Sequence, residues 1–325
     1  MKHLPAGVLL GLVLVSLAAS AAEENKPTPA PSDVASPLAK LEAIAPKEWP
    51  ALQFFEGYHA DLLALAESNT LNSGNEFFRA AKLATWHGGE YRITRVRYEL
   101  ALTAIALGEV SAEGLLPLAW DDVLQTLGRP LRFDIYGMVA RDPDFAELSA
   151  SPTVIQGVWR DPAAARKAAI TAQDNLSVKE IVDADQAVRK AGWNNLTQEQ
   201  MQRMMQEDRT RNRRIRAIVA AGELHTADDF ARASLVLQHS DRFAGYQLAH
   251  ELAVCSLLLG DRKSGRWLVA ATYDRMLKSA GHPQRFGTQF GPTGRLTPVD
   301  EAGICDHERT ALGCPPLAES RARKL

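Results

Sequence analysis

The residues best suited to chemistry are grouped near position 240, where His239 is followed two positions later by Asp241. A histidine beside a carboxylate can act as an oriented general base or can bind a metal ion. The same two residues also suit a structural purpose, in which Asp241 caps the following helix and His239 bonds to a backbone group. The spacing alone leaves both interpretations open.

Further polar residues follow in the same part of the chain. Arg275 can hold the carboxylate or phosphate of a ligand, or it can take part in an internal salt bridge. The glycine-bearing segment from Gln284 to Gln289 is predicted to be irregular, and such loops either bind ligands or form rigid turns. The residues of the candidate pocket are His239, Asp241, Gln247, Asp274, Arg275, Gln284, Thr288 and Gln289.

Several familiar catalytic patterns are absent from the sequence. His250-Glu251 resembles the start of a zinc-protease helix, but that chemistry needs a second histidine at position 254, which is Val254. The chain also has no GxSxG, GxGxxG or Walker A motif. Motifs therefore assign no catalytic residue, no metal ligand and no cofactor.

Composition limits the class of protein. The chain has 325 residues, of which 46% are hydrophobic, and its 37 basic and 39 acidic side chains give a net charge of −2. These values exclude a mainly disordered chain and a multispan membrane protein, and they argue against a dedicated nucleic-acid binder. The arginine-rich segment 209–216 is interpreted as a solvated helix face, with contact to an anionic envelope surface as the alternative.

The elements that must position these residues are predicted to be helices. Apolar residues recur at three- and four-residue steps along most of the chain, for example at Tyr98, Leu102 and Ile105. Only residues 133–136 and 296–299 have the pattern of short extended pieces. The predicted fold class is all-α, as a multi-helix bundle or a short solenoid.

The second half of the chain repeats features of the first. A hydroxyl followed three positions later by a carboxylate, which is a capping-box pattern, occurs at Ser73 and again at Thr226. The other parallels, at an offset of 152 or 153 residues, are Glu99-Leu100-Ala101 with Glu251-Leu252-Ala253, Gly108 with Gly260, Asp122 with Asp274, and 128–133 with 281–286. This constant offset predicts an internal duplication, with two similar units near 58–137 and 210–290.

The second unit also resembles a known family. The resemblance is carried by Gln238-His239, Asp241, Gln247, Gly260, Asp274-Arg275, Gly281, 284–289, 298–300, Asp306, Arg309 and Leu312-Gly313. In this order and combination the residues resemble the domain of unknown function 6624 over about residues 205–320. Phe286 stands where that family often has tyrosine, and Leu224 stands near a tryptophan-proline of the family. The resemblance implies a helical fold and a candidate site, but no activity.

The N-terminus has the pattern of a secretory leader. A basic start at Lys2 precedes an apolar run that is too short to cross a membrane, and Ala19-Ser20-Ala21 offers small residues for cleavage. We therefore predict a signal peptide over residues 1–21, a Pro/Ala-rich linker over 22–37 and a periplasmic or secreted protein without a transmembrane segment after cleavage.

Export would place the three cysteines in an oxidising environment. Cys305 and Cys314 enclose a short loop and are therefore candidates for a disulfide. Cys255 lies in an apolar run and is predicted to be a buried helix thiol.

These observations give a domain organisation and two main functional hypotheses. Residues 38–200 are predicted to form an N-terminal helical unit with connecting helices, and 201–325 a C-terminal helical domain. The first hypothesis is an exported binding or interaction module with a polar pocket for an unknown ligand or protein partner. The alternative is a hydrolase-like enzyme with His239 as base, assisted by Asp241 or by a metal. A third interpretation makes the polar residues a network that only fixes the fold.

Overall fold

The structure, a computed structural model, describes residues 35–45, 52–85, 90–133, 152–190, 197–261 and 263–323, with the backbone alone for 52–55. The predicted signal peptide and the predicted linker up to residue 34 lie outside these ranges. The same is true of residues 134–136, which belong to one of the two predicted extended pieces.

The described residues are mainly helical. The α-helices are α1 (Pro37–Ile44), α2 (Leu52–Glu67), α3 (Gly74–Leu83), α4 (Tyr91–Ala106), α5 (Leu116–Thr126), α6 (Thr153–Arg160), α7 (Pro162–Ala169), α8 (Leu176–Lys190), α9 (Gln198–Ala221), α10 (Ala227–Leu237), α11 (Phe243–Leu258), α12 (Ser264–Ser279), α13 (Asp306–Ala311) and α14 (Leu317–Ala322), and a 3-10 helix (Val110–Leu115) precedes α5. In these ranges extended backbone is limited to two isolated bridges, Gln284 with Val299 and Phe290 with Leu296. The predicted all-α class is confirmed.

Helices α3 and α10 begin with the same local chemistry. The Ser73 hydroxyl accepts the Glu76 N–H at 3.3 Å, and the Thr226 hydroxyl accepts the Asp229 N–H at 3.1 Å. In each case the carboxylate bonds back to the backbone N–H of the capping residue. Both predicted capping boxes are therefore formed, and each satisfies backbone donors that the first helical turn cannot.

Helices α4 and α11 also end alike. Gly108 and Gly260 have φ angles of 97° and 102°, a left-handed conformation that side chains other than glycine rarely adopt. The following N–H groups, of Glu109 and Asp261, bond back to Ala104 and to Ser256. This Schellman geometry ends both helices at the paired glycines of the repeated pattern.

Helices α4 and α11 meet at the centre of the fold. Tyr98 and His250 are both fully buried there, and the Tyr98 hydroxyl lies 2.8 Å from His250 Nε2. The rings of Trp120 and Tyr273 pack beside His250, with centroids 5.0 and 5.2 Å away. Burial lowers the pKa of His250 to about 3, so the neutral ring accepts the hydrogen bond from Tyr98. Around this centre one hydrophobic core extends from α1 to the turn after α13.

Two buried ion pairs cross between α3–α4–α5 and α10–α11–α12. Arg285, which follows α12, donates to Glu99 of α4 from Nε and Nη2 at 2.8 and 2.6 Å. Arg132, which follows α5, donates to Glu251 of α11 from Nε and Nη2 at 2.8 and 2.9 Å. Both carboxylates are fully buried, and both pairs use the bidentate geometry that suits guanidinium and carboxylate. We call them the crossed pairs.

An aspartate positions each arginine of the crossed pairs, and it comes from the helix directly before that arginine, α12 for Arg285 and α5 for Arg132. Asp274 accepts the backbone N–H groups of Arg285 and the next residue at 2.7 and 2.9 Å. Asp121 accepts those of Arg132 and the next residue at 2.6 and 3.1 Å. The structural counterpart of Asp274 is thus Asp121, and the pairing with Asp122 from the sequence was wrong. Neighbouring residues on a helix point about 100° apart, so only Asp121 faces this loop.

The remaining helices cover this central arrangement. Helices α8 and α9 pack against α10, α6 packs against α11, and α13 packs against α4. Among the described residues, every helix is too short or too polar to cross a membrane.

Candidate functional site

His239 lies just after α10 with its side chain 5% exposed. Its Nε2 accepts a hydrogen bond from Arg189 Nε at 3.2 Å, which assigns the ring proton to Nδ1. Nδ1 lies 3.4 Å from a carboxylate oxygen of Asp185. Burial lowers the pKa of His239, although Asp185 opposes the shift. The neutral ring therefore has its only lone pair engaged by Arg189 and cannot serve as a base in this arrangement.

Asp241 does not face His239. Its side chain is 52% exposed and accepts a hydrogen bond from Arg209 at 3.3 Å. It does not cap α11 either, because the N-cap residue there is Arg242, which makes no side-chain cap bond. The expected pairing of His239 with Asp241 is therefore replaced by His239 with Asp185, because the turn into α11 directs the two side chains to different surroundings.

Asp185 is the centre of a buried ionic cluster that joins α8, α9 and the turn after α10. Arg189 Nη1 lies 2.9 Å from its carboxylate and Arg211 Nε lies 3.5 Å away. Asp208 bonds to both arginines, at 3.1 and 2.7 Å. Burial alone would raise the pKa of Asp185, but His239 and the two arginines outweigh it and hold the pKa below its usual value. We refer to these five residues as the Asp185 cluster.

Replacement by asparagine should lower the free energy of unfolding much more at Asp185 than at Asp241. Asp185→Asn removes a buried charge that offsets two guanidinium groups, so we expect a loss of roughly 2–3 kcal/mol in the free energy of unfolding. Asp241→Asn breaks an exposed pair and should cost less than about 1 kcal/mol. Urea unfolding at pH 7 measures both changes. Equal losses, or the opposite ranking, would contradict this assignment.

Arg275 on α12 is buried without an anionic partner among the described residues. It is 5% exposed, and its Nε is enclosed with no acceptor. Among the described residues, every other buried arginine has a carboxylate within ion-pair distance, namely Arg95, Arg97, Arg189, Arg211, Arg285 and Arg309. Burial lowers the pKa of Arg275 to about 10, yet the group stays protonated at neutral pH. A charge of this kind is costly to bury unless it is paired.

The surroundings of Arg275 are rich in hydrogen-bond donors and positive charge. Lys278 lies one turn further along α12, and its pKa is lowered by burial and by the charge of Arg275. The charge of Arg189 also lowers the pKa of Arg275. Burial raises the pKa of Tyr246, and the charge of Arg275 opposes this rise. Gln238 follows α10, which packs against α12, and it is fully buried with neither its amide nitrogen nor its amide oxygen bonded among the described residues.

Four other candidate residues bond mainly to one another. Asp274 accepts the N–H and the hydroxyl of Thr288, at 3.0 and 2.7 Å. Gln284 donates to the Gln289 carbonyl at 2.9 Å and accepts the Gln289 N–H at 2.7 Å. Gln289 in turn donates to the Thr288 hydroxyl at 2.9 Å. These bonds form a rigid turn that holds Arg285 in its crossed pair.

Gln247 belongs to the other crossed pair. It is 8% exposed and donates to Glu251 at 3.0 Å, beside Trp120, which donates to the same oxygen at 3.2 Å. Of the eight candidate residues, His239 and Arg275 share a common electrostatic environment, in which Arg275 contributes to the lowered pKa of His239.

The candidate disulfide is not formed. Cys305 and Cys314 are free, buried thiols, as is Cys255, for which burial was predicted. Cys305 is the N-cap residue of α13, and Cys314 follows the C-terminal end of that helix. A helix of six residues is about 9 Å long, whereas bridged cysteines have Cα atoms no more than roughly 7 Å apart.

In the described part of the chain, the candidate residues belong neither to a metal-binding group nor to a cleft. In the described ranges, no group of three or more His, Cys, Asp or Glu side chains is arranged to hold a metal ion. A cleft of about 250 Å³ lies near α3 and α13, and none of the eight candidate residues lines it. The candidate residues are therefore defined by burial and charge rather than by a cleft.

The residues that sequence reasoning missed are Asp185 and Arg189 of α8. Their signal was available as an aspartate and an arginine four positions apart, a spacing that puts both on one helix face. This pattern is common on solvated helices, so the sequence did not single it out.

Comparison with known proteins adds one relationship. No curated protein and no solved structure matches the chain significantly. Residues 171–324 match the model described as Family of unknown function (DUF6624). The match begins earlier than the predicted start near residue 205, and it includes α8 with Asp185 and Arg189. The C-terminal part of the chain, residues 171–324, thus resembles the Family of unknown function (DUF6624).

Proposed function

We propose that the protein is an exported helical binding module that holds an oxyanion, a carboxylate or a phosphate group, at Arg275. The observation that carries this proposal is the burial of Arg275 without a carboxylate or hydrogen-bond partner among the described residues. A guanidinium recognises both kinds of oxyanion through paired N–H groups. A bound oxyanion would offset a buried charge that the described chain leaves uncompensated.

The neighbours of Arg275 support an anionic ligand. Arg189 already has two carboxylates, Asp185 and Asp208, so it does not need a further anion. Gln238 has a buried amide whose nitrogen and oxygen both lack a partner among the described residues, and such groups occur where a ligand or an ordered water completes the bonding. The ligand is expected to bring acceptor atoms to Arg275, whose Nε has no acceptor among the described residues.

The hydrolase alternative is not favoured by any contact among the described residues. It required His239 as a base beside Asp241, but His239 Nε2 is engaged by Arg189 and Asp241 is exposed beside Arg209. Metal assistance gains no support from the donor set of the described residues.

The proposal also includes an internal duplication of the chain and its export from the cytoplasm. The crossed pairs and the two capping boxes recur at an offset of 152 or 153 residues, which supports an internal duplication of units near 58–137 and 210–290. Export to the periplasm or the medium is supported by the leader-like residues 1–21. The division into parts at 38–200 and 201–325 stays a proposal on the same footing.

The proposal predicts opposite effects of one substitution on stability and on binding. Arg275→Met removes an unpaired buried charge, so the ligand-free protein should become more stable by about 1–2 kcal/mol. The same variant should lose the stabilisation that phosphate or acetate gives to the wild-type protein. Thermal and urea unfolding, with sodium chloride at matched ionic strength as reference, measure both effects.

Arg209→Gln is the matched control, because Arg209 is 64% exposed and lies near the same turn. This variant should keep the anion-dependent stabilisation. If phosphate and acetate stabilise wild type and Arg275→Met equally, or stabilise neither, there is no oxyanion site at Arg275. A response to phosphate alone, or to acetate alone, identifies which oxyanion the site accepts.

A further inference from the structure

A cleft of about 250 Å³ opens between the turn after α4, the first turn of α12 and helix α13. Leu107 gives it an exposed apolar wall, since its side chain remains 43% exposed, and the fully buried Phe77 lies behind this wall. Arg266, His307 and Thr310 line the polar side. None of these residues belongs to the Asp185 cluster or to the surroundings of Arg275.

The polar groups of this cleft differ in how far they are satisfied. The Thr310 hydroxyl donates to backbone carbonyls of α13 at 3.0 Å, and His307 Nδ1 lies 3.0 Å from the Leu71 carbonyl. Arg266 has no ion pair or hydrogen bond with the described residues, and its Nε is enclosed without an acceptor. Among the described residues, none that lines the cleft is acidic, so its polar side presents a guanidinium without a described counter-charge.

The equivalent place in the other group of helices is filled by the chain itself. Glu113 stands 153 positions before Arg266 and receives a hydrogen bond from Arg166 Nη2 at 3.1 Å. Arg166 also donates to the Leu258 carbonyl at 2.8 Å, beside the end of α11. In the cleft the sign of the charge is reversed, because an arginine stands where the other group has a glutamate. If the two places correspond at this offset of 153 residues, a carboxylate would complete the contact at Arg266.

We propose that this cleft binds a small molecule in which a carboxylate is attached to an apolar group. Arg266 holds the carboxylate, and the exposed Leu107 contacts the apolar part. The size is consistent with this class, since a dry cavity of about 150 Å³ accommodates benzene. A cleft of about 250 Å³ therefore has room for one ring together with its carboxylate.

Benzoate is a suitable probe, and benzamide is its uncharged analogue of the same shape. Calorimetric titration of the wild-type protein should show saturable benzoate binding, with benzamide at least about tenfold weaker because it cannot form the charge-assisted pair. Arg266→Gln should weaken benzoate by a similar factor and leave benzamide unchanged. Arg266 is only half-buried, so this variant should keep its fold, which circular dichroism checks.

Two further variants test whether benzoate is held in this cleft and not at Arg275. Arg275→Met should keep the benzoate binding that depends on Arg266, because the two arginines belong to different sites. Leu107→Ala removes part of the apolar wall and should weaken benzoate and benzamide alike. The proposal is overturned if benzoate shows no saturable binding, if benzamide binds as tightly, or if Arg266→Gln leaves benzoate affinity unchanged. Loss of benzoate binding in Arg275→Met would assign the carboxylate to the other site.

Discussion

Replacement of Glu99 by glutamine is expected to lower the free energy of unfolding by about 3–5 kcal/mol, since it breaks a buried ion pair by removing one charge. Glu99 and Arg285 are both fully buried, and the guanidinium stays charged when its main partner becomes neutral. The nearest remaining carboxylate belongs to Asp300, whose oxygen is 3.7 Å from Arg285. Urea unfolding at neutral pH measures the loss.

A double variant and an exposed pair make this result specific. Glu99→Gln with Arg285→Met removes both buried charges, so it should recover much of the stability that Glu99→Gln loses. Asp183→Asn breaks the exposed pair with Lys179 and should cost less than about 1 kcal/mol. If Glu99→Gln costs no more than Asp183→Asn, the crossed pair does not hold the two groups of helices together.

Glu308 should give the protein an unusual dependence of stability on pH. This carboxyl group on α13 is fully buried, and its Oε2 has no hydrogen-bond partner in the described part of the chain. Burial and then the charge of Glu99 raise its pKa to about 8 from an ordinary value of 4.5. The unfolded chain releases this proton near pH 4.5, whereas the folded protein keeps it until about pH 8. The free energy of unfolding therefore falls as the pH rises through this window, by at most about 1.4 kcal/mol per pH unit.

Glu308→Gln should remove this dependence and leave the variant more stable than wild type at pH 7 to 8. Unfolding is measured at several pH values between 5 and 8 for wild type, Glu308→Gln and Glu319→Gln. Glu319 lies exposed on α14 in the same C-terminal segment, so its variant should follow the wild-type curve. Since the other titrating groups are common to all three proteins, parallel curves for wild type and Glu308→Gln would show that Glu308 is ionised at neutral pH.

Local features of the fold were accessible from the sequence because they depend on neighbouring residues. Capping boxes need a hydroxyl and a carboxylate three positions apart, and left-handed helix ends need glycine, so Ser73, Thr226, Gly108 and Gly260 could be assigned directly. The recurrence of Glu99 at Glu251 was visible in the same way. Their partners could not be assigned, because Arg285 reaches Glu99 across 186 positions of the chain.

In the candidate site, too, contacts between residues far apart in the sequence could not be predicted. Asp241 was paired with His239 because the two are close in sequence, but the contact is made by Asp185, which comes from α8. Nothing in the local pattern states which distant helix will face a given side chain. Asp274 and Arg275 illustrate a second limit, although they are neighbours on α12. Asp274 accepts hydrogen bonds from the turn after the helix, whereas Arg275 Nε has no acceptor among the described residues. Whether a buried charged side chain has a partner depends on how the surrounding helices pack, and a local sequence pattern does not show this.

The crossed pairs give the molecule a reciprocity that is otherwise typical of two-fold symmetric dimers, in which residue i of one subunit meets residue j of the other and the reverse. Here a single polypeptide carries both sides of that interface. Two separate subunits come apart on dilution, whereas a tethered interface has a fixed local concentration of its partner. The buried glutamates therefore meet their arginines at any protein concentration, so these pairs make the midpoint of unfolding no more dependent on protein concentration.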